Sequence, residues 1–245
     1  MSLFALSDLH LSFAAEKPMD IFGQRWQDHA LRIEKNWRAA VSEEDTVVLA
    51  GDLSWAIDLE NAEPDLRFLD ALPGRKIISR GNHDYWWATA AKMKAFFAQK
   101  GIGSISLLHN NAFSAEGFII CGSRGWYQDE KDAPKTSDYE KIVLREALRL
   151  DLSLSEGEKL RGEGQEEMLA FLHFPPVFRS FECPELLDVL TKHGIRRCFF
   201  GHIHGVYDFP SVFTHRGIEF RMTSADYLGF LPMKIGENRI LTEKQ

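Results

Sequence analysis

Short apolar runs alternate with amphipathic stretches along this chain. Leu3–Leu6, Thr46–Ala50, Lys76–Ser79, Ser104–Leu108, Phe118–Cys121, Leu169–Leu172 and Arg197–Phe200 are mostly apolar and short. Such runs, with no polar alternation, fit strands covered on both faces. Trp26, Ala30, Ile33, Trp37 and Val41 recur at the spacing of one helix face. Residues 65–72, 87–99, 137–150 and 184–193 predict further helices. Strand-helix alternation in the first part of the chain implies βαβ units and a largely parallel sheet. Ile218–Thr223 and Tyr227–Ile235 read as strands with no long helix between them, so a mixed sheet with an antiparallel portion is expected. Ser153–Gln165, rich in Ser, Glu and Gly, reads as an exposed helix with broken ends or a mobile insertion.

Length and composition narrow the class. The 245 residues fit one sizeable domain, here expected to span residues 1–245, with no repeat, low-complexity tract or linker to divide it. A 44% hydrophobic and 27% charged composition is that of a globular protein in water. The formal net charge of -7 disfavours nucleic acid as a partner, since sequence-independent binding rests on Lys and Arg neutralising phosphates. It does not exclude a phosphorylated substrate, because bound cations can reverse the local field. Cys121, Cys183 and Cys198 make neither a disulfide framework nor a zinc knuckle, and they read as reduced thiols. The chain starts at once with a strand-like run, and no stretch approaches the ~20 apolar residues of a membrane span. A cytoplasmic protein with no membrane partner is expected.

Candidate chemistry follows the strands. Asp8-Leu9-His10 comes after the first run, Gly51-Asp52 after the second and Gly81-Asn82-His83-Asp84 after the third. His173 follows the Leu169 run, and Gly201-His202-Ile203-His204 follows the Arg197 run. Ligand sites in open α/β sheets form at the carboxyl ends of strands, so the five clusters should converge on one crevice. Carboxylates, imidazoles and an amide, with no thiolate, suit manganese, iron or zinc better than calcium. Two such ions ~3.5–4 Å apart can hold a phosphoryl group and an attacking hydroxide together.

Taken in order, Asp-x-His, Gly-Asp, Gly-Asn-His-Asp, His and Gly-His-x-His resemble the calcineurin-like metallophosphoesterase superfamily over residues 8 to 204. The resemblance implies a four-layer α/β/β/α sandwich of two mixed sheets flanked by helices. It implies two divalent or transition metal ions: Asp8, His10 and His204 on the first, Asn82, His173 and His202 on the second, and Asp52 bridging. It further implies hydrolysis of a phosphate monoester or diester by a metal-bound hydroxide. His83 would assist the leaving group, and Asp84 would orient His83. The substrate would be a small phosphorylated molecule, nucleotides included.

Two departures narrow the branch. Trp55 stands where many relatives carry a polar residue or a metal-binding tyrosine, which disfavours the purple acid phosphatases. Asp84 stands where the protein Ser/Thr phosphatases carry Glu. A binding scaffold on the same fold is the competing reading, but it should have lost a ligand or the catalytic histidine, and all these positions are filled. His29, His109, His193 and His215 lie outside the motifs and read as ordinary surface or core residues. Trp55, Trp86, Trp87, Trp126 and Tyr127 read as either pocket wall or core. Arg124 reads as a surface charge or a group that reaches a substrate phosphate.

Overall fold

The computed structural model describes residues 1–127 and 139–236. In chain order the elements are β1 (Leu3–Leu6), α1 (His29–Ala40), β2 (Thr46–Ala50), α2 (Glu63–Asp70), β3 (Arg75–Ser79), α3 (Ala90–Lys100), β4 (Ile105–Leu107), β5 (Phe113–Ala115) and β6 (Phe118–Ser123). Then come α4 (Tyr139–Arg161), β7 (Glu167–Leu172), β8 (Val177–Phe178), β9 (Phe181–Glu182), α5 (Pro184–Lys192), β10 (Arg197–Phe200), β11 (Val212–His215), β12 (Ile218–Met222) and β13 (Met233–Ile235).

Two mixed sheets carry the fold. The five-stranded sheet has the order β13-β1-β2-β3-β4, and the six-stranded sheet has β11-β12-β10-β7-β6-β5. Neighbours within β1 to β4 are parallel, and β13 is antiparallel to β1. The second sheet is parallel at its centre with antiparallel β5 and β11 at its edges. Side chains alternate across each strand, so each run feeds two cores. Leu3, Ala5, Val48 and Ile77 pack between the sheets against Phe118, Ile120, Leu169, Phe171 and Phe199. On the outer face of the first sheet, Phe4, Leu6, Val47 and Leu49 meet Ile33 and Trp37 of α1, Leu66 and Leu69 of α2, and Met93 and Phe97 of α3. On the outer face of the second, Cys121, Ala170, Leu172, Cys198 and Phe200 meet Val143, Leu150 and Leu154 of α4 and Leu186 and Leu190 of α5. These are the four layers the motif resemblance implied, and dual burial is why the strands read as unbroken apolar runs.

The sheets are joined at the carboxyl ends of their strands. Ser7, just past β1, donates its N–H to Thr223 O at 2.9 Å, and its carbonyl accepts Ala225 N–H at 3.0 Å. That seam brings the loops after β1, β2 and β3 against those after β7, β10 and β12.

Several expectations need correction. Ser153–Gln165 is no loose insertion: its first part belongs to α4, with Ser153, Leu154 and Gly157 buried. Ser153 Oγ accepts Gly122 N–H at 2.8 Å and donates to Asn111 O at 2.7 Å. A Cβ at Gly157 would collide with the Cys121 thiol, so these small residues mark close helix-on-sheet packing. Tyr227–Ile235 is strand only over Met233–Ile235, because Gly229 (φ 64°) and Phe230 (φ 65°) are left-handed and turn the chain. Trp26 precedes the α1 helix and lies in a 3₁₀ turn. The first two residues of the expected 137–150 helix lie outside the described residues.

Lys76 on β3 is wholly buried. Its ammonium reaches the Leu72 carbonyl at the end of α2 and Ser104 Oγ at 3.0 Å. Burial pushes its pKa down from 10.5 to about 8, against the pull of Asp70. Below pH 8 both folded and unfolded chains hold this proton, and between pH 8 and 10.5 only the unfolded chain does. Stability from this group therefore rises with pH across that window. Urea melts at pH 7.5 and 10 should show wild type gaining on Lys76→Met as the pH rises. A stability difference that stays flat or shrinks would contradict this account of Lys76.

Candidate metal centre

The seven candidate ligands come from the ends of β1, β2, β3, β7 and β10. Asp8, His10, Asp52 and His202 all sit in the left-handed region, with φ of 60°, 48°, 54° and 70°. Asp and His tolerate that region better than most residues, and such strain clusters at functional sites. Two glycines are sterically required. A Cβ at Gly81 would run into the backbone N and carboxylate of Asp52, and one at Gly201 into the carboxylate of Asp8.

The side chains converge in two overlapping groups. Donor atoms of Asp8, His10 and His204, and of Asp8, Asp52 and His173, lie within 4.8 Å of one another. His10 Nε2 faces His204 Nε2 at 3.1 Å, and His204 Nε2 is 3.4 Å from Asp8 Oδ1. Asn82 Oδ1 joins the second group, 2.6 Å from His173 Nε2 and 3.1 Å from His202 Nδ1. Asp52 Oδ2 lies between the groups, 3.8 Å from His10 Nε2 and 3.5 Å from His173 Nε2. The second group therefore holds Asp8 as well as the expected Asn82, His173, His202 and Asp52. Among the described residues, none of His29, His109, His193 and His215 belongs to either group.

Second contacts aim the rings. His173 Nδ1 donates to Ala50 O at 3.0 Å, which leaves Nε2 bare toward the centre. His204 Nδ1 donates to Asp226 Oδ1 at 2.8 Å. Asp226 is wholly buried and also accepts from Gly205 N at 3.1 Å and the Tyr207 hydroxyl at 2.9 Å. Sequence reading missed Asp226. The signal was present, since Thr223-Ser224-Ala225-Asp226 is one more polar cluster just past a strand.

The electrostatics fit a cation. Burial raises Asp52 well above the usual carboxylate range, and the Asp84 and Asp8 charges add to it. Burial also opposes the Asp8 charge, yet His204, His173 and His10 hold its pKa below the usual range. His173 and His202 are pushed down by burial to about 4 and about 3, so both rings are neutral donors. Burial works against the charged His204 ring, but Asp8 and Asp226 outweigh it and hold its pKa up at about 10. Two buried carboxylates and converging bare nitrogens thus call for positive charge, and a proton on His204 stands in for part of what metal ions would supply.

Asp84 does not orient His83. Its carboxylate accepts N–H bonds from Asp52 at 2.8 Å, Gly81 at 2.7 Å, Leu53 at 2.9 Å and Ser54 at 3.3 Å, and from Trp86 Nε1 at 3.0 Å. With both oxygens committed, it ties the loop after β3 to the loop after β2, and His83 Nδ1 is buried without a partner. The His83 backbone N–H donates to Asp52 Oδ1 at 2.8 Å.

His83 opens onto a cavity of about 460 Å³ that it shares with His10, His204, Met19, Phe22, Trp26, Trp55 and Tyr207. Trp55 stacks on His10 with centroids 4.8 Å apart and lies 4.4 Å from the His83 ring. Trp55 is therefore wall, as is Trp26, 5.4 Å from the His204 ring. Trp86 is buried core, and Tyr127 lies 5.5 Å from the His202 ring. Phe22 and Tyr207 were not foreseen as wall residues.

Two outcomes follow. Asp226→Asn should keep the fold and weaken metal binding by about 10–100-fold, as loss of a ligand-orienting carboxylate typically does. Metal titration by calorimetry reads this directly, and wild-type affinity would remove Asp226 from the centre. Trp55→Ala should leave the number of metals per chain unchanged by elemental analysis. Loss of one metal would mean that Trp55 holds its histidine neighbours in place and is more than wall.

The sequence matches the family profile described as calcineurin-like phosphoesterase over residues 1–206. No curated protein matches the chain. Among solved structures, the fold resembles the phosphopantetheinyl hydrolase PptH from Mycobacterium tuberculosis, with 14% identity, a TM-score of 0.55 and coverage of 97% of this chain and 96% of that one. The Aquifex aeolicus protein of unknown function AQ665 aligns with 20% identity, a TM-score of 0.48 and 95% coverage of both chains. The chain belongs to the calcineurin-like phosphoesterase family, a family of metal-dependent phosphoesterases.

Proposed function

We propose that the protein hydrolyses a phosphate ester at this centre, with the ester's organic group in the aromatic cavity beside His83. The observation that carries the reading is the convergence of Asp8, His10, Asp52, Asn82, His173, His202 and His204 on one spot that borders that cavity. Two bound cations, manganese, iron or zinc by the donor chemistry, would supply charge for the phosphoryl group and activate water. Asp8, His10 and His204 would hold one, Asn82, His173 and His202 the other, and Asp52 both.

The chain's own residues then account for specificity and proton transfer. Trp26, Trp55, Phe22 and Tyr207 offer flat apolar surface to the organic group, which favours a ring system or acyl-type chain over a bare sugar. The structurally similar protein is a phosphopantetheinyl hydrolase, and such a group would place a long organic chain against this wall. His83 lines the same cavity, which supports reading it as the residue that would protonate a leaving oxygen. Burial and the nearby His204 charge lower its pKa, and an incoming phosphate dianion would offset both.

Activity against a panel of mono- and diesters should vanish with chelator and return with manganese. Asp52→Ala should lose metal. His83→Ala should keep both metals but lose about 10²–10⁴-fold in turnover of alkyl phosphates, and less for nitrophenyl phosphate, whose leaving group needs no proton. Metal loss in His83→Ala would make His83 a ligand. Full activity on alkyl phosphates would place the acid elsewhere.

A further inference from the structure

A second cavity is lined in part by residues bonded to, or next in sequence to, the candidate ligand loops. It has a volume of about 440 Å³, and its lining includes Arg80, Arg124, Arg149, His109 and Glu146. Arg80 directly precedes Gly81-Asn82-His83. The Arg124 carbonyl accepts the N–H of His173 at 3.2 Å and of Phe174 at 2.8 Å. Arg80 therefore belongs to the loop after β3, and Arg124, just past β6, is hydrogen-bonded to the loop after β7.

Charge in this cavity does not balance. Three guanidinium groups line it with the single carboxylate of Glu146, which is wholly buried. Glu146 Oε1 accepts from Arg149 Nη1 at 2.9 Å and from Arg124 Nη2 at 3.4 Å, and it also lies 4.0 Å from Arg145 Nε. Nε of both Arg80 and Arg124 is buried without a hydrogen-bond partner, as is Glu146 Oε2. Arg80 forms no ion pair among the described residues, and its charge and that of Arg149 both repel the charge of Arg124. Buried donors of like charge converging on an open cavity are unfavourable unless an anion completes them. Arg124 and Arg149 share the one carboxylate of Glu146, which leaves Arg80 without a counter-charge among the described residues.

We propose that this cavity is a second anion-binding subsite, built to take a phosphate group between Arg80, Arg124 and Arg149. Planar guanidinium forks match phosphate oxygens in pairs, and Ser123 and Thr89 add hydroxyls at the wall. The phosphate is either a second phosphate of the substrate or free phosphate. On this reading Arg124 is a group that reaches a phosphate and not a plain surface charge.

Calorimetric titration of the metal-loaded protein with inorganic phosphate tests this. Phosphate binding to this cavity should weaken at least tenfold in Arg80→Gln and in Arg149→Gln, and persist in Asp52→Ala. Circular dichroism melts identify a variant that fails to fold, and the other arginine variant then stands in its place. Binding lost in Asp52→Ala but kept in both arginine variants belongs to the metal centre and overturns the subsite. So does wild-type binding with no arginine-dependent component, whatever the metal centre does. For its source, the KM of a bisphosphate ester relative to nitrophenyl phosphate should rise about tenfold in Arg80→Gln if the substrate supplies the phosphate. An unmoved ratio, with phosphate binding still arginine-dependent, assigns the subsite to free phosphate.

Discussion

Three aspartates, Asp8, Asp52 and Asp84, are almost completely withdrawn from water where the two sheets meet. Burying a carboxylate costs several kcal/mol unless partners replace its hydration, and the three are compensated very differently. Asp84 collects five N–H donors. Asp8 takes the Ser7 hydroxyl and the His202 N–H, and its charge is further supported by histidine rings. Asp52 accepts the His83 N–H and is left with its pKa raised by burial and then by its acidic neighbours. That unequal compensation is what makes the centre a cation site. The least satisfied carboxylate stands between the two groups of ligands, where positive charge has the most to offer.

The same constraint ties the centre to the architecture. Asp84 clamps the loops after β2 and β3 together within the first sheet. Asp8, from the first sheet, receives the N–H of His202 from the second, and His173 of the second donates to Ala50 of the first. The ligand set is therefore also part of the seam between sheets. The left-handed backbone at Asp8, His10, Asp52 and His202 persists because parallel strands on one side and these hydrogen bonds on the other fix it. Gly81 and Gly201 are glycines for the same reason, since each lies where a carboxylate from another strand end crosses its Cα.

Strands and candidate ligands were legible in the sequence because each leaves a local mark. Doubly buried strands are unbroken apolar runs, and the candidate ligands are polar residues placed abruptly after them. What stayed hidden depends on partners far along the chain. Asp84 reads as the partner of His83 next to it, yet its donors are mostly the backbone of residues 52 to 54. Asp226 belongs to a cluster that no motif announced. Ser153 and Gly157 read as solvent-exposed because small and polar residues usually are, but here they let α4 lie close on β6. Phe22 and Tyr207 sit in irregular segments where no period marks a buried or lining face.

The two cavities divide recognition by chemistry. On the His10 and His204 side the wall is tryptophan, phenylalanine and tyrosine, which offers burial and stacking but no charge discrimination. In the second cavity the wall carries three arginines, which offer charge and paired hydrogen bonds, beside the apolar Trp87, Ala88 and Leu108. An acidic protein repels anions at a distance, and screening confines that repulsion to roughly 8–10 Å in physiological salt. Within that range the field belongs to local groups. The arginine cluster would then act as a positive lane, and the aromatic wall as a shelf. A molecule with charge at one end and a flat or extended apolar body at the other can satisfy both walls at once. A small anion satisfies only the lane, and a neutral aromatic only the shelf. Selectivity would therefore rest on how well one ester satisfies two unlike surfaces.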